Sequence, residues 1–175
     1  FKKKPGKYIT ESGILFQIIK GVYVQGYIDL IEENPDGSID IIDFKTSSMF
    51  KSADMLHYGR QLILYGLAKK KEGFKINRLA WNMLKYVNVT WTQKNGKPKT
   101  KSVNRGKIVE ELSNVIQKAL IDDGVDSMMA SIMLSEAIEK NEIPSQIVDK
   151  FTIEDCYIEY PFTLELAKDL RDYVQ

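Results

Sequence analysis

The first third of the chain alternates between apolar and polar positions. Residues 14–20 are mostly apolar, Lys20-Gly21 reads as a turn, and residues 22–31 carry Val22, Val24, Tyr27, Ile28 and Leu30. A period near two is the pattern of a strand with one face buried. Asn34-Pro35-Asp36-Gly37 is a turn with a mechanism, because Pro presets φ and Gly accepts a positive φ. Residues 38–45 follow as a short buried strand with Ile39, Ile41, Ile42 and Phe44. Residues 14–45 therefore predict an antiparallel meander with a hairpin across 34–37.

The period then changes. Met55, Leu56, Leu62, Ile63 and Leu67 recur at helical spacing over 52–71, with Ser52 or Asp54 placed to cap the helix and Gly73 to end it. Residues 76–92 predict one long strand or two. Residues 93–105 read as a basic loop around Asn95-Gly96. Residues 106–123 predict an amphipathic helix, 127–140 another, 157–162 a strand, and 163–174 a last helix with Thr163 as N-cap. This order predicts an α/β fold, a mixed central sheet with flanking helices. At 175 residues the expectation is one domain, with a core over 14–92 and a helical part over 106–175.

Composition narrows the classes. Hydrophobic residues are 43% and charged residues 28%, a globular balance. No apolar run approaches the ~18 residues of a membrane span. The basic start lacks the apolar stretch of a signal peptide. A lone Cys, Cys156, excludes an internal disulfide or an all-cysteine metal or iron–sulfur site. It reads as a buried structural thiol in a reducing, cytoplasmic setting.

The net charge is +1, which taken alone argues against a polyanion partner. Its distribution reverses that. Residues 1–105 hold 19 Lys/Arg against 9 Asp/Glu, net +10, and residues 106–175 hold 6 against 15, net −9. Lys2, Lys3, Lys4 and Lys7 form one basic cluster, and Lys69, Lys70, Lys71 and Lys75 a second. The third joins Lys94, Lys97, Lys99, Lys101 and Arg105 in a hairpin tip or flap after Trp81, Tyr86 and Trp91. Lys97, Lys99 and Lys101 are candidates for binding a nucleic-acid backbone. The aromatics serve either as core or as base-stacking surfaces.

Three stretches carry candidate chemistry: Gly26-Tyr27-Ile28-Asp29, Asp43-Phe44-Lys45-Thr46, and Gln61 with Tyr65 at i, i+4. Alternation puts Asp43 and Lys45 on one strand face, and pairing across the 34–37 turn brings Asp29 toward Asp43. Two carboxylates on one face destabilise each other unless a cation lies between them. Two Asp oxygens, a backbone carbonyl and waters make the shell that Mg2+ or Mn2+ prefers. The plain alternative for Asp43 and Lys45 is an ion pair on an exposed strand.

The order and spacing of the three stretches resemble the PD-(D/E)XK nuclease superfamily in its RecB-like branch, which includes phage and bacterial exonucleases. The resemblance covers about residues 14–92 and implies a restriction-endonuclease-like core and a Mg2+- or Mn2+-dependent DNA exonuclease. It implies that Asp29, Asp43 and the backbone carbonyl of Phe44 are metal ligands and Lys45 the catalytic lysine. Gln61 would act with them, and Thr46, Tyr65 and His57 would contact the DNA. The alternative for Tyr65 is helix–sheet packing. The family pattern also has a His or Glu on a helix before the first strand. Here His57 lies downstream and Glu11 is unproven in that role, so the expectation is that such a helix lies outside this chain. Four family cysteines that bind an iron–sulfur cluster in many relatives are not matched by Cys156. A second class of function remains, a non-catalytic DNA-binding or assembly module that kept the fold.

Overall fold

The computed structural model describes residues 6–174, apart from the side chain of Ser52. The basic cluster at Lys2, Lys3 and Lys4 lies outside the described residues. The chain groups into two units. The first takes in the described residues through Met83 and resumes at Tyr157; the second is Leu84–Cys156.

The first unit holds β1 (Lys7–Ile19), β2 (Val22–Glu33), β3 (Ile39–Lys45), α1 (Met55–Lys71) and the first half of β4 (Ile76–Thr92). β1 and β2 form a long antiparallel hairpin, closed at Gly21 with φ 83. β2 and β3 are antiparallel across the expected turn, where Gly37 N–H donates to the Asn34 carbonyl at 2.9 Å. β3 and β4 are parallel, with α1 as the crossover. Ile39, Ile41, Ile42, Leu62, Leu79 and Trp81 are buried to 0–1% exposure and form this unit's core. A buried Ile or Leu contributes roughly 1.5–3 kcal/mol, so β3, which buries Ile39, Ile41 and Ile42 completely and pairs on both sides with β2 and β4, is firmly anchored.

Two glycines set how closely α1 packs. A Cβ at Gly59 would overlap the Tyr160 ring, and one at Gly66 would lie 2.9 Å from Phe162. These aromatics end β6 (Phe151–Tyr160) and precede α5 (Leu164–Val174). Thr163 Oγ1 accepts from Leu166 N–H at 3.2 Å, as expected of the N-cap. Asp54 makes no capping bond to α1.

The second unit pairs the rest of β4 with β5 (Pro98–Asn104), antiparallel, and adds α2 (Ile108–Glu111), α3 (Ser113–Asp122) and α4 (Ser127–Lys140). Val87, Val89, Val103, Leu112, Ile116 and Leu120 lie in its core. The mixed sheet with flanking helices is thus present, and most of its pairings are antiparallel.

Element boundaries differ from the sequence reading in four main places, one being the last strand, expected over 157–162 and observed as Phe151–Tyr160. The loop expected over 93–105 is a tight turn followed by β5. That strand buries only Val103, so it has no alternating signal. Its ladder to β4 and the cross-strand pairs Thr90–Thr100 (2.8 Å) and Ser102–Asn88 (2.6 Å) hold it. The single helix expected over 106–123 breaks at Leu112, φ −109 and ψ 11, where burial of Leu112 outweighs helix continuity. β1 starts at Lys7 rather than residue 14, because its polar half pairs along β2.

Candidate functional site

The β1–β2 ladder runs in one register on both sides of a gap. Thr10 pairs with Leu30 and Ser12 with Ile28, but Glu11 and Asp29 between them do not pair. Glu11 has φ 52, rare for a residue with a side chain. β2 pairs with β3 only as far as Leu30↔Ile42, while the β1–β2 ladder continues to Val22. The strands β2 and β3 therefore part at Asp29. The Phe44 N–H, which has no β2 partner here, donates to Asp29 Oδ2 at 2.8 Å.

Extending the β2–β3 register by one residue sets Asp29 opposite Asp43. Asp43 is 4% exposed. Lys45, two residues on and on the same face, brings its Nζ to 2.6 Å from Asp43 Oδ2. Beyond that ionic contact the buried oxygen accepts no hydrogen bond. Burial pushes the Asp43 carboxyl above its ordinary pKa, the Lys45 ammonium pulls it down, and the Asp29 charge pushes it up.

From α1, Gln61 Oε1 accepts from Lys45 Nζ at 3.2 Å, and Gln61 Nε2 donates to Tyr65 Oη at 2.9 Å. A chain of contacts thus runs Asp43–Lys45–Gln61–Tyr65. The Tyr65 ring is buried, and its hydroxyl is pushed above the usual range by burial first, with the Asp43 and Asp29 charges adding to the effect. The ring lies 3.5 Å from where a Cβ of Gly26 would stand, an ordinary contact.

Sequence reading missed the aromatic wall beside Lys45. Tyr58 lies under the ammonium at 5.8 Å, stacks on Phe50 at 4.7 Å, and Phe50 meets Trp81 edge-on at 4.9 Å. Tyr58 was findable, being at i−3 from Gln61 on the same helix face. Phe50 lies between elements and gives no periodic signal.

The model of the PD-(D/E)XK nuclease superfamily matches residues 2–145. The chain belongs to that superfamily. No curated protein matches it. Members of the superfamily are usually metal-dependent nucleases, which supports hydrolysis of DNA by this one and use of a divalent ion.

The chain's own residues allow a test of that last point. Asp29 and Asp43 offer oxygen ligands, and the buried Asp43 Oδ2 already faces one cation, the Lys45 ammonium at 2.6 Å. Among the described residues no group of three His, Cys, Asp or Glu is arranged to hold a metal. The pair fits a hard, oxygen-preferring ion that completes its shell with water or backbone carbonyls.

The remaining candidates are distributed as follows. Thr46 is exposed just beyond β3, and His57 is exposed on α1 with its ring edge-on to Tyr58 at 5.4 Å. Lys97, Lys99 and Lys101 belong to the second unit. Lys97 closes the β4–β5 turn, Lys99 Nζ lies 5.8 Å over the Trp91 ring, and Lys101 Nζ donates to the Glu111 carbonyl at 3.0 Å. The break between α2 and α3 frees that carbonyl from the helical ladder, and Lys101 satisfies it. Cys156 is buried, and among the described residues no helix is long and apolar enough to cross a membrane.

Proposed function

We propose that this nuclease is a RecB-like, Mg2+- or Mn2+-dependent deoxyribonuclease that degrades linear DNA from an end, in recombination, repair or phage DNA processing. The observation that carries the reading is Lys45, held between Asp43 and Gln61 where β2 and β3 part. Asp29, Asp43 and the Phe44 carbonyl would hold the ion. When bound, such an ion supplies a Lewis acid for the phosphodiester and lowers the pKa of water.

The chain's own groups do the rest. Lys45 places a positive charge beside the site, where negative charge grows on the phosphate during attack. Gln61 fixes the ammonium; Lys45, which can only donate, selects the amide oxygen, and the Tyr65 hydroxyl accepts from the amide nitrogen that this leaves on the far side. The Tyr58 ring limits the other side of the ammonium. Thr46 and His57 stand at the exposed rim, where a DNA backbone would pass.

Linear and covalently closed circular DNA of one sequence test the mode of action. With Mg2+, loss of the linear form alone is the expected result; equal loss of the circle overturns the exonuclease assignment. A second reading, a non-catalytic DNA-binding module, is favoured by one observation, the lack of a third acidic or His ligand among the described residues. Calorimetry separates the two. Binding of Mn2+ that Asp43→Ala abolishes supports the nuclease, and no heat at millimolar Mn2+ supports the module.

A further inference from the structure

The second unit carries an open groove of about 790 Å3, within the size range of small-ligand sites. It lies wholly within that unit, between the end of β4 and the outer side of α3. Its floor is apolar, with Val115, Ala119 and Phe151, and one wall is the half-buried Trp91. Its rim is basic. Lys94 and Lys99 border it from the β4–β5 hairpin, Lys118 from α3, and Lys150 from the segment before β6.

The charges are unevenly matched. Lys150 Nζ is 2.6 Å from Asp123, so its charge is largely answered. Among the described residues no carboxylate lies within ion-pair distance of Lys94, Lys99 or Lys118. Asp122 is the acidic residue on the lining. Asn95 and Asn114 add groups that both donate and accept.

An aromatic face beside an apolar floor, bordered by cations of which Lys99 lies 5.8 Å over the Trp91 ring and would swing aside to a phosphate, suits a flat aromatic ring joined to an anion. We propose that this groove binds single-stranded nucleic acid, with one base stacked on Trp91 and the adjoining phosphates against Lys94, Lys99 and Lys118. The site deepens the nucleic-acid reading above and rests on it. It also divides the basic hairpin. Lys99 faces the ligand, whereas Lys101 is held by the Glu111 carbonyl and takes no part. A duplex, whose bases are already stacked and paired, cannot offer a base to Trp91 without melting, so the groove distinguishes single strands from double.

The test uses the whole chain in EDTA, which reads binding whether or not the protein cleaves. Fluorescein-labelled dT12 is titrated by anisotropy, with intrinsic tryptophan fluorescence followed in parallel. The chain has two tryptophans, of which Trp81 is fully buried. Binding should quench the Trp91 emission, and Trp91→Phe should remove the quench while keeping affinity within about threefold. Trp91→Ala should weaken binding about tenfold or more. Trp91 also packs on its unit's core, so Lys99→Gln and Lys118→Gln give an arm that leaves the core intact. Each should lower the slope of log affinity against log salt by about 0.7.

Unchanged affinity in Trp91→Ala, a quench that persists in Trp91→Phe, unchanged salt slopes, or a duplex that competes as well as the single strand each overturns the proposal. Binding without any cleavage under Mg2+ keeps this site and removes the nuclease reading. Cleavage together with wild-type affinity in Trp91→Ala does the reverse.

Discussion

Asp43 is placed where an ionised carboxylate is uncomfortable. Burial and the neighbouring Asp29 together outweigh Lys45, so its folded pKa lies above the unfolded value. A carboxyl raised in this way destabilises the fold increasingly as pH climbs from the unfolded pKa through the folded one. At neutral pH without metal, Asp43→Asn should therefore raise the melting temperature, by about 2–4 °C if the gain is near 1 kcal/mol. Scanning calorimetry in EDTA checks this, and a lower melting temperature contradicts it. Asp36 has the opposite sign. Its carboxylate accepts from the Ser38 hydroxyl at 2.5 Å and the Ser38 N–H at 3.0 Å, and its pKa falls to about 2. Its contribution is present above the ordinary carboxylate range and is lost as pH falls through 2, so Asp36→Asn should flatten the acid limb of a stability profile.

Cys156 makes a quieter prediction. Burial pushes its thiol up, against a weaker pull from Ser102. A disulfide reagent at pH 8 should label it only after denaturation. Rapid labelling of the folded chain contradicts the burial described above.

Among the elements, α1 joins the core to the candidate chemistry. One side carries Gln61 and Tyr58 toward Lys45, and Gly59 and Gly66 let it approach Tyr160 and Phe162. Tyr160 is itself packed against Trp81, ring centres 5.3 Å apart, so it has nowhere to swing. Gly59→Ala should cost about 1–3 kcal/mol through overpacking, although alanine is the better helix former. Gly26→Ala meets only an ordinary contact with Tyr65 and should be nearly neutral. Urea unfolding of the two variants compares them directly; equal losses contradict the packing described here.

α1 also shows what sequence can and cannot disclose. Its apolar period was legible, and so was the Gln61–Tyr65 pair, because both depend on spacing within one helix. The close approach at Gly59 was not, because it depends on a ring a hundred residues away in sequence. β5 escaped for a related reason. A strand with one buried side chain has no period, and its ladder partner alone makes it a strand. The parting of β2 and β3 at Asp29 was equally hidden. The turn at 34–37 gave the register but not the φ of Glu11 at which the β1–β2 ladder skips a pair.

At the scale of the whole molecule, near-neutrality conceals two charge populations. The proposed metal ligands lie in the basic stretch and most of the acidic residues in the helical remainder, so net charge alone is a poor guide to its partner. Membership of the PD-(D/E)XK superfamily agrees with the three motifs and with the mixed sheet, and the family match reaches residue 145. The central claim is narrower, that Lys45 between Asp43 and Gln61 is the group on which cleavage depends. Single-turnover hydrolysis of end-labelled linear DNA with Mg2+ tests it, comparing wild type with Lys45→Ala. A loss of about a hundredfold or more, with the fold intact by circular dichroism, is the predicted result. A Lys45→Ala protein that cleaves at the wild-type rate would contradict the account.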